Sequence, residues 1–260
     1  MQKIIAGILT LLLLPIFYIF FEKCYFEEHE KCPVSWSNAK ANTQETQNQV
    51  SEETKPRGPD IGLVSDSPTI NYIYRASGTS TPKLFGEGSV LYSGDPYKIL
   101  FKLAKEGYVY IFQIDASHKI FLLFPTVDFK NADPNNVNPV KKGQQYFVPA
   151  ESWSFKLDQT TGQETIYFVV TSQPDPTLEN HYQTMLAQQK THNFQDRLTA
   201  REKWDTSMKS RGPAVELVAD SALSRSPIQF EEQGHQFSVI PQYLKGLCEG
   251  CVYIVNFEHR

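Results

Sequence analysis

Residues Ile4 to Phe21 form an uninterrupted apolar run, IIAGILTLLLLPIFYIFF, 18 residues without a charge. As a helix it would be about 27 Å long at ~1.5 Å per residue, close to the ~30 Å hydrocarbon core of a bilayer. A helix that is apolar on every side has no solvent face, so the run does not read as a surface or core helix of a soluble domain. Lys3 precedes it, and Phe20, Phe21, Glu22 and Lys23 close it. A signal peptidase needs small residues at that point, and the residues before Cys24 are nothing like a lipobox. The run is therefore expected to be an uncleaved, single-pass anchor in the cytoplasmic membrane. A short N-terminal tail stays inside by default, which puts the rest of the chain on the periplasmic or extracellular side. Lys23, Lys31 and Lys40 on the far flank pull the other way under the positive-inside rule.

The cysteines fit an exported chain. There are four, Cys24, Cys32, Cys248 and Cys251, placed towards the two ends. Four cysteines allow three pairings; Cys24 with Cys32 and Cys248 with Cys251 is the simplest, because both loops are short. The net charge of −4 argues against a nucleic-acid partner, which needs a basic face to neutralise phosphates. Aromatic residues make up 13% of the chain and favour strands, where flat rings pack on a pleated surface.

Behind the anchor, residues 22–69 read as a flexible linker. ANTQETQNQV (41–50) and SEETKPRGPD (51–60) hold too few large apolar groups to offset the entropy of ordering. Residues 70–174 read as a β-rich domain. INYIY (70–74) is a short strand, and YKILFKLA (97–104) sets Ile99, Phe101 and Leu103 against Lys98 and Lys102, the period of a half-buried strand. YVYIFQID (108–115) and KIFLLF (119–124) flank a short polar tip and predict a β-hairpin. Both faces of the first of these strands are apolar, so it is expected to be central and covered on both sides. Asp128 to Gly143 is a polar loop, 144–149 and 153–157 are short strands, and TIYFVVT (165–171) is a strong one. Residues 175–260 are expected to form a helical pair and terminal strands. Asp175-Pro176 is a helix start, with Leu178, Tyr182, Met185 and Leu186 on one face. A second helix is expected over about 192–208, with Phe194, Leu198, Arg201 and Met208 aligned. Val215–Val218 and Val252–Phe257 read as late strands. The fold class is mainly β with α additions: a β-sandwich or open barrel with a helical pair packed on it, behind an N-terminal transmembrane helix.

Several short pieces follow one another in order: Ser93-Gly94-Asp95, GYVYIFQID (107–115), LLFP (122–125), Asn131, VKKG (140–143), Pro149, and GQE (162–164) leading into TIYFVVTSQP. In that order they resemble a bacterial family of domains of unknown function, number 4384, over about residues 88–174. The resemblance implies a compact β-rich module, often joined to other domains or anchored at the envelope. The family has no established activity, so it supplies no functional residues. This chain departs from it at His118-Lys119, where the family usually turns with a glycine.

No catalytic pattern emerges. CEGC (248–251) has the thioredoxin-like spacing, but it precedes a strand rather than a helix N-terminus that would lower a thiol pKa. A zinc site would need a second ligand pair. Asp115 and His118 flank the hairpin tip, where polar residues are ordinary. The remaining histidines, His29, His181, His192, His235 and His259, show no metal spacing, and no G-x-S-x-G, P-loop or H-E-x-x-H motif occurs. No catalytic, cofactor or metal residues are therefore assigned. The expected function is that of a membrane-anchored, non-catalytic envelope protein whose β domain binds a protein or cell-wall component. The alternative is a thiol-disulfide oxidoreductase using Cys248 and Cys251.

Overall fold

Phe101 shows how the fold closes. Its ring stacks on Tyr146 from the neighbouring strand at 5.1 Å and meets the edges of Phe124 and Phe168 at 5.0 and 5.7 Å. The first pair lies in one sheet and the last two residues in another. The computed structural model describes residues 68–260, apart from 77–78, 126–128, 130, 191–192, 213–215 and 220–225. The expected anchor at 4–21, Cys24, Cys32 and the linker up to residue 67 lie outside the described residues.

The first sheet contains β1 (Thr69–Tyr74), β2 (Lys83–Leu84), β4 (Pro96–Lys102), β7 (Gln145–Val148), β8 (Phe155–Lys156), β10 (Glu216–Ala219) and β13 (Gln242–Lys245). Its main path runs β10-β13-β1-β4-β7, with β2 beside β1 and β8 beside β4. The second contains β3 (Ser89–Leu91), β5 (Tyr108–Ile114), β6 (Ile120–Phe124), β9 (Gly162–Thr171) and β14 (Val252–His259), in the order β3-β14-β9-β5-β6. Both sheets are open, and neither closes into a barrel. A barrel needs a strand pairing that returns to the first edge, and here β6 and β7 end their paths. Asn136 donates to the carbonyls of Phe147 and Pro149 beside β7, and Gln189 accepts from Ile120 N–H on β6. These side chains occupy edge groups that would otherwise recruit another strand.

The two sheets share one core: Ile70, Tyr72, Ile99, Phe101 and Val148 from the first meet Val109, Ile111, Ile166, Phe168 and Phe257 from the second. The outer face of the second sheet is covered by α1 (Pro176–Gln189) and α2 (Phe194–Lys209). Asp175 caps α1 by accepting from Leu178 N–H at 2.9 Å, and Asn193 caps α2 by accepting from Gln195 N–H at 2.9 Å. Leu178 and Met185 of α1 are buried as expected. On α2 the buried set is Ala200, Arg201, Trp204 and Met208, while Phe194 is 53% exposed. The expected stripe is therefore displaced. Trp204 fills the space against Phe112 and Tyr167, at 4.9 and 5.9 Å, and Arg201 donates to Thr165 on β9. β5 is central and covered on both faces: Val109 and Ile111 face the other sheet, and Tyr110, Phe112 and Ile114 face the helices.

A hairpin of β11 (Ile228–Glu232) and β12 (His235–Val239) lies on the outer face of the first sheet, where Phe230, Phe237 and Val239 pack on Ile73 and Leu100. This corrects the half-buried reading of β4. Its lysine face is covered too, and Lys98 is only 1% exposed. Among the described residues no helix is long and apolar enough to cross a membrane.

Candidate functional site

Of the residues singled out by sequence, Cys248, Cys251, Asp115 and His118 are among those described. Cys248 and Cys251 lie at disulfide-bonding distance with Cα atoms 5.1 Å apart; Cys248 is exposed and Cys251 fully buried. The turn that holds them is tied to the end of β9, because Gly250 N–H donates to the Val170 carbonyl and Glu249 accepts from Ser172 N–H. Gly212, just past α2, abuts the pair so closely that a Cβ there would lie 2.5 Å from Cys251 Sγ. At the hairpin tip, the Asp115 carboxylate accepts from the N–H groups of Ser117 and Lys119 at 2.9 and 2.8 Å. Burial raises its pKa, and these hydrogen bonds oppose the rise. His118 adopts φ 62°, the left-handed conformation that a glycine takes freely. It packs against Phe194 and Arg201, and burial, then the Arg201 charge, lowers its pKa. Asp115 and His118 do not form a pair; each is committed to the turn or to α2.

Between the first sheet and the β11–β12 hairpin, Glu232 receives Arg75 and Lys98, each at 2.8 Å, and the Ser154 hydroxyl at 2.9 Å. Lys98 also donates to the Glu151 carbonyl. Burial lowers the Lys98 pKa and contact with Glu232 resists it. Every charge in this layer has a partner, as buried charges require. Beside it runs an open groove of about 660 Å³ lined by residues that include Phe147, Ile228, Tyr243, Lys102 and Glu151.

A constellation absent from the sequence reading closes one end of the inter-sheet core. β14 runs between β9 and β3, and His259 is in register with Gly162 on one side and Leu91 on the other. Two residues further along the same faces stand Glu164 and Ser93. His259 Nε2 and Ser93 Oγ are 2.9 Å apart, and His259 Nδ1 is 3.6 Å from Glu164 Oε1. Glu164 Oε2 accepts from Gln113 Nε2 at 2.9 Å, and Gln113 Oε1 accepts from the Tyr97 hydroxyl. His259 and Glu164 are buried and Ser93 is half-buried. Burial pushes the Glu164 carboxyl up to about 7; the Asp115 charge adds to this, and the bonds from Gln113 and Ala116 oppose it. Ser93 lies in the Ser-Gly-Asp piece and Glu164 in the Gly-Gln-Glu piece, but nothing in the sequence links either to His259. Among the described residues no three His, Cys, Asp or Glu side chains gather as a metal site.

Two open sheets with a shared core, helices on one outer face and a hairpin on the other define a layered, antiparallel-rich β module. Residues 90–174, about a third of the chain, match the family model described as a domain of unknown function (DUF4384). The match runs from β3 to the end of β9, so it carries Ser93 and Glu164 but not His259. No curated protein matches the chain, and no solved structure does.

Proposed function

We propose that the protein is a membrane-anchored envelope module, held by residues 4–21 and presenting residues 68–260 outside the cytoplasmic membrane, where its surface binds a partner. The observation that carries the binding reading is the open groove beside the β11–β12 hairpin, left where the hairpin covers only part of the outer face of the first sheet. The groove beside the β11–β12 hairpin suits an extended protein segment, with an apolar floor from Phe147, Ile228 and Tyr243 and one charge of each sign from Lys102 and Glu151. A wall component is the competing occupant. Thiol exchange is less well supported, because Cys251 is buried against Gly212 and, among the described residues, no helix N-terminus faces the pair to stabilise a thiolate.

A photocrosslinker at Gln229 in intact cells is expected to give one discrete protein adduct, lost when Lys102 and Glu151 are both reversed in charge. A crosslinker at the exposed Gln195 on α2 should give none. Equal adducts from both faces, or none from Gln229, would overturn the reading; a glycan adduct would replace the protein segment by a wall component. A membrane-impermeant thiol reagent should label Cys248 in intact cells only after reduction.

A further inference from the structure

We propose that Ser93 is a nucleophile for activated acyl groups such as aryl esters or thioesters, with His259 as its general base and Glu164 as the residue that positions His259. The inference goes beyond partner binding and does not depend on it. A serine hydroxyl is a weak nucleophile until an adjacent base takes its proton, and the base must be oriented by a third group. Here the base lies 2.9 Å from the hydroxyl, and the carboxylate stands 3.6 Å behind the other ring nitrogen. That second distance is long for a hydrogen bond, as such contacts often are before substrate arrives. His259 Nδ1 is buried and has no hydrogen bond of its own among the described residues, which leaves the Glu164 carboxylate as the group placed to accept from its N–H.

The three groups differ in access as the chemistry requires. Glu164 and His259 are enclosed, whereas Ser93 reaches the surface beside Tyr92, which is 55% exposed. The turn that carries Ser93 is fixed: its N–H donates to the Arg260 carbonyl, Gly94 N–H to the Leu157 carbonyl, and Tyr92 N–H to the Asp95 carboxylate, each at 2.9 Å. In the reaction Ser93 Oγ bonds to the acyl carbon and the bond to the phenolate or thiolate breaks. The hydroxyl proton passes to His259 Nε2 and then to the leaving group. Water attacks the acyl-serine and gives a proton to His259 Nε2, which passes it to Ser93 Oγ as the bond from the acyl carbon to that oxygen breaks and the acid leaves. The N–H groups of Ser93 and Gly94 are already engaged, so they do not serve as an oxyanion hole. Losing one such donor costs about 10²–10³ in rate, so the site suits acyl groups with good leaving groups rather than amides.

The test uses the full chain in detergent with a fluorophosphonate probe, which phosphonylates an activated serine with loss of fluoride. Peptide mapping should place one adduct on Ser93, absent in Ser93→Ala and formed at least tenfold more slowly in His259→Gln and Glu164→Gln. In the wild type the His259 Nδ1 proton should resonate at low field and move upfield in Glu164→Gln, a change that loss of packing alone would not cause. Should His259→Gln fail to fold, the Ser93→Ala and Glu164→Gln results still decide. No adduct, adducts spread equally over other serines, or an unchanged rate in folded Glu164→Gln would each overturn the proposal. The Gln229 crosslink should persist in Ser93→Ala, so failure here leaves the binding reading standing.

Discussion

Lys98 and Glu164 are two buried ionisable side chains treated differently by their surroundings. Lys98 is matched by Glu232 and the Glu151 carbonyl. Breaking a buried pair from one side leaves an uncompensated charge, so Glu232→Leu, which strands the buried Lys98, should cost roughly 3–5 kcal/mol. Replacing Lys98 by Met as well should recover much of it. Denaturant unfolding of residues 68–260 measures both, and a single variant as stable as the wild type would show the pair to be dispensable. Glu164 is matched less well, and its pKa of about 7 lies above the ordinary 4.5. The folded state therefore holds the proton more tightly than the unfolded one. Stability conferred by the protonated form is complete below about 4.5 and is lost as pH rises towards 7, a change of roughly 3 kcal/mol. Unfolding free energy measured across that range should fall in the wild type and stay flatter in Glu164→Gln; parallel curves would contradict the assignment. At this scale the sequence was partly legible. The three-residue step from Cys248 to Cys251 shows on its face, but Ser93 and His259 are 166 positions apart and meet only through strand register.

Periodicity decided which elements could be read. β5, β6 and β9 carry long β-branched and aromatic runs, and the hairpin between the first two appears where expected. α1 announced itself through Asp175-Pro176. The β11–β12 hairpin was missed because its tip, Gln233-Gly234, lacks the Asn-Gly or Asp-Gly signature, although both residues have positive φ. Its apolar residues, moreover, alternate with glutamates and glutamines. α2 was placed correctly but its face was misjudged, since a helix that buries Arg201 beside Trp204 shows no clean apolar stripe. Trp204 is fully buried and pins α2 to the sheet. Trp204→Ala should cost about 3–5 kcal/mol and expose α2 to hydrogen exchange before the sheets. Uniform loss of protection throughout would show that the helices and sheets unfold as one. Reducing the Cys248–Cys251 pair should have a smaller effect, about 2 kcal/mol on the chain-entropy account of so short a loop, read as a modest drop in Tm.

At the scale of the molecule, the family segment is not self-sufficient. Within residues 90–174, β3 and β9 belong to one sheet but do not touch; β14 lies between them. Likewise β4 pairs with β1, which precedes the segment. A fragment of residues 90–174 should therefore lack cooperative thermal unfolding, whereas residues 68–260 should show it; a cooperative transition in the fragment would refute this. The family match covers residues 90–174, while sheet membership is set by pairings that ignore its boundaries.

The same insertion of β14 orders events in time. Joining β3 to the rest of its sheet must await residues 252–259, which leave the ribosome long after β3 has emerged. Pairing over so large a separation is slow because loop closure precedes the contacts that reward it. A chain whose bridging strand arrives late keeps β3 apart from β9 until synthesis has passed residue 252.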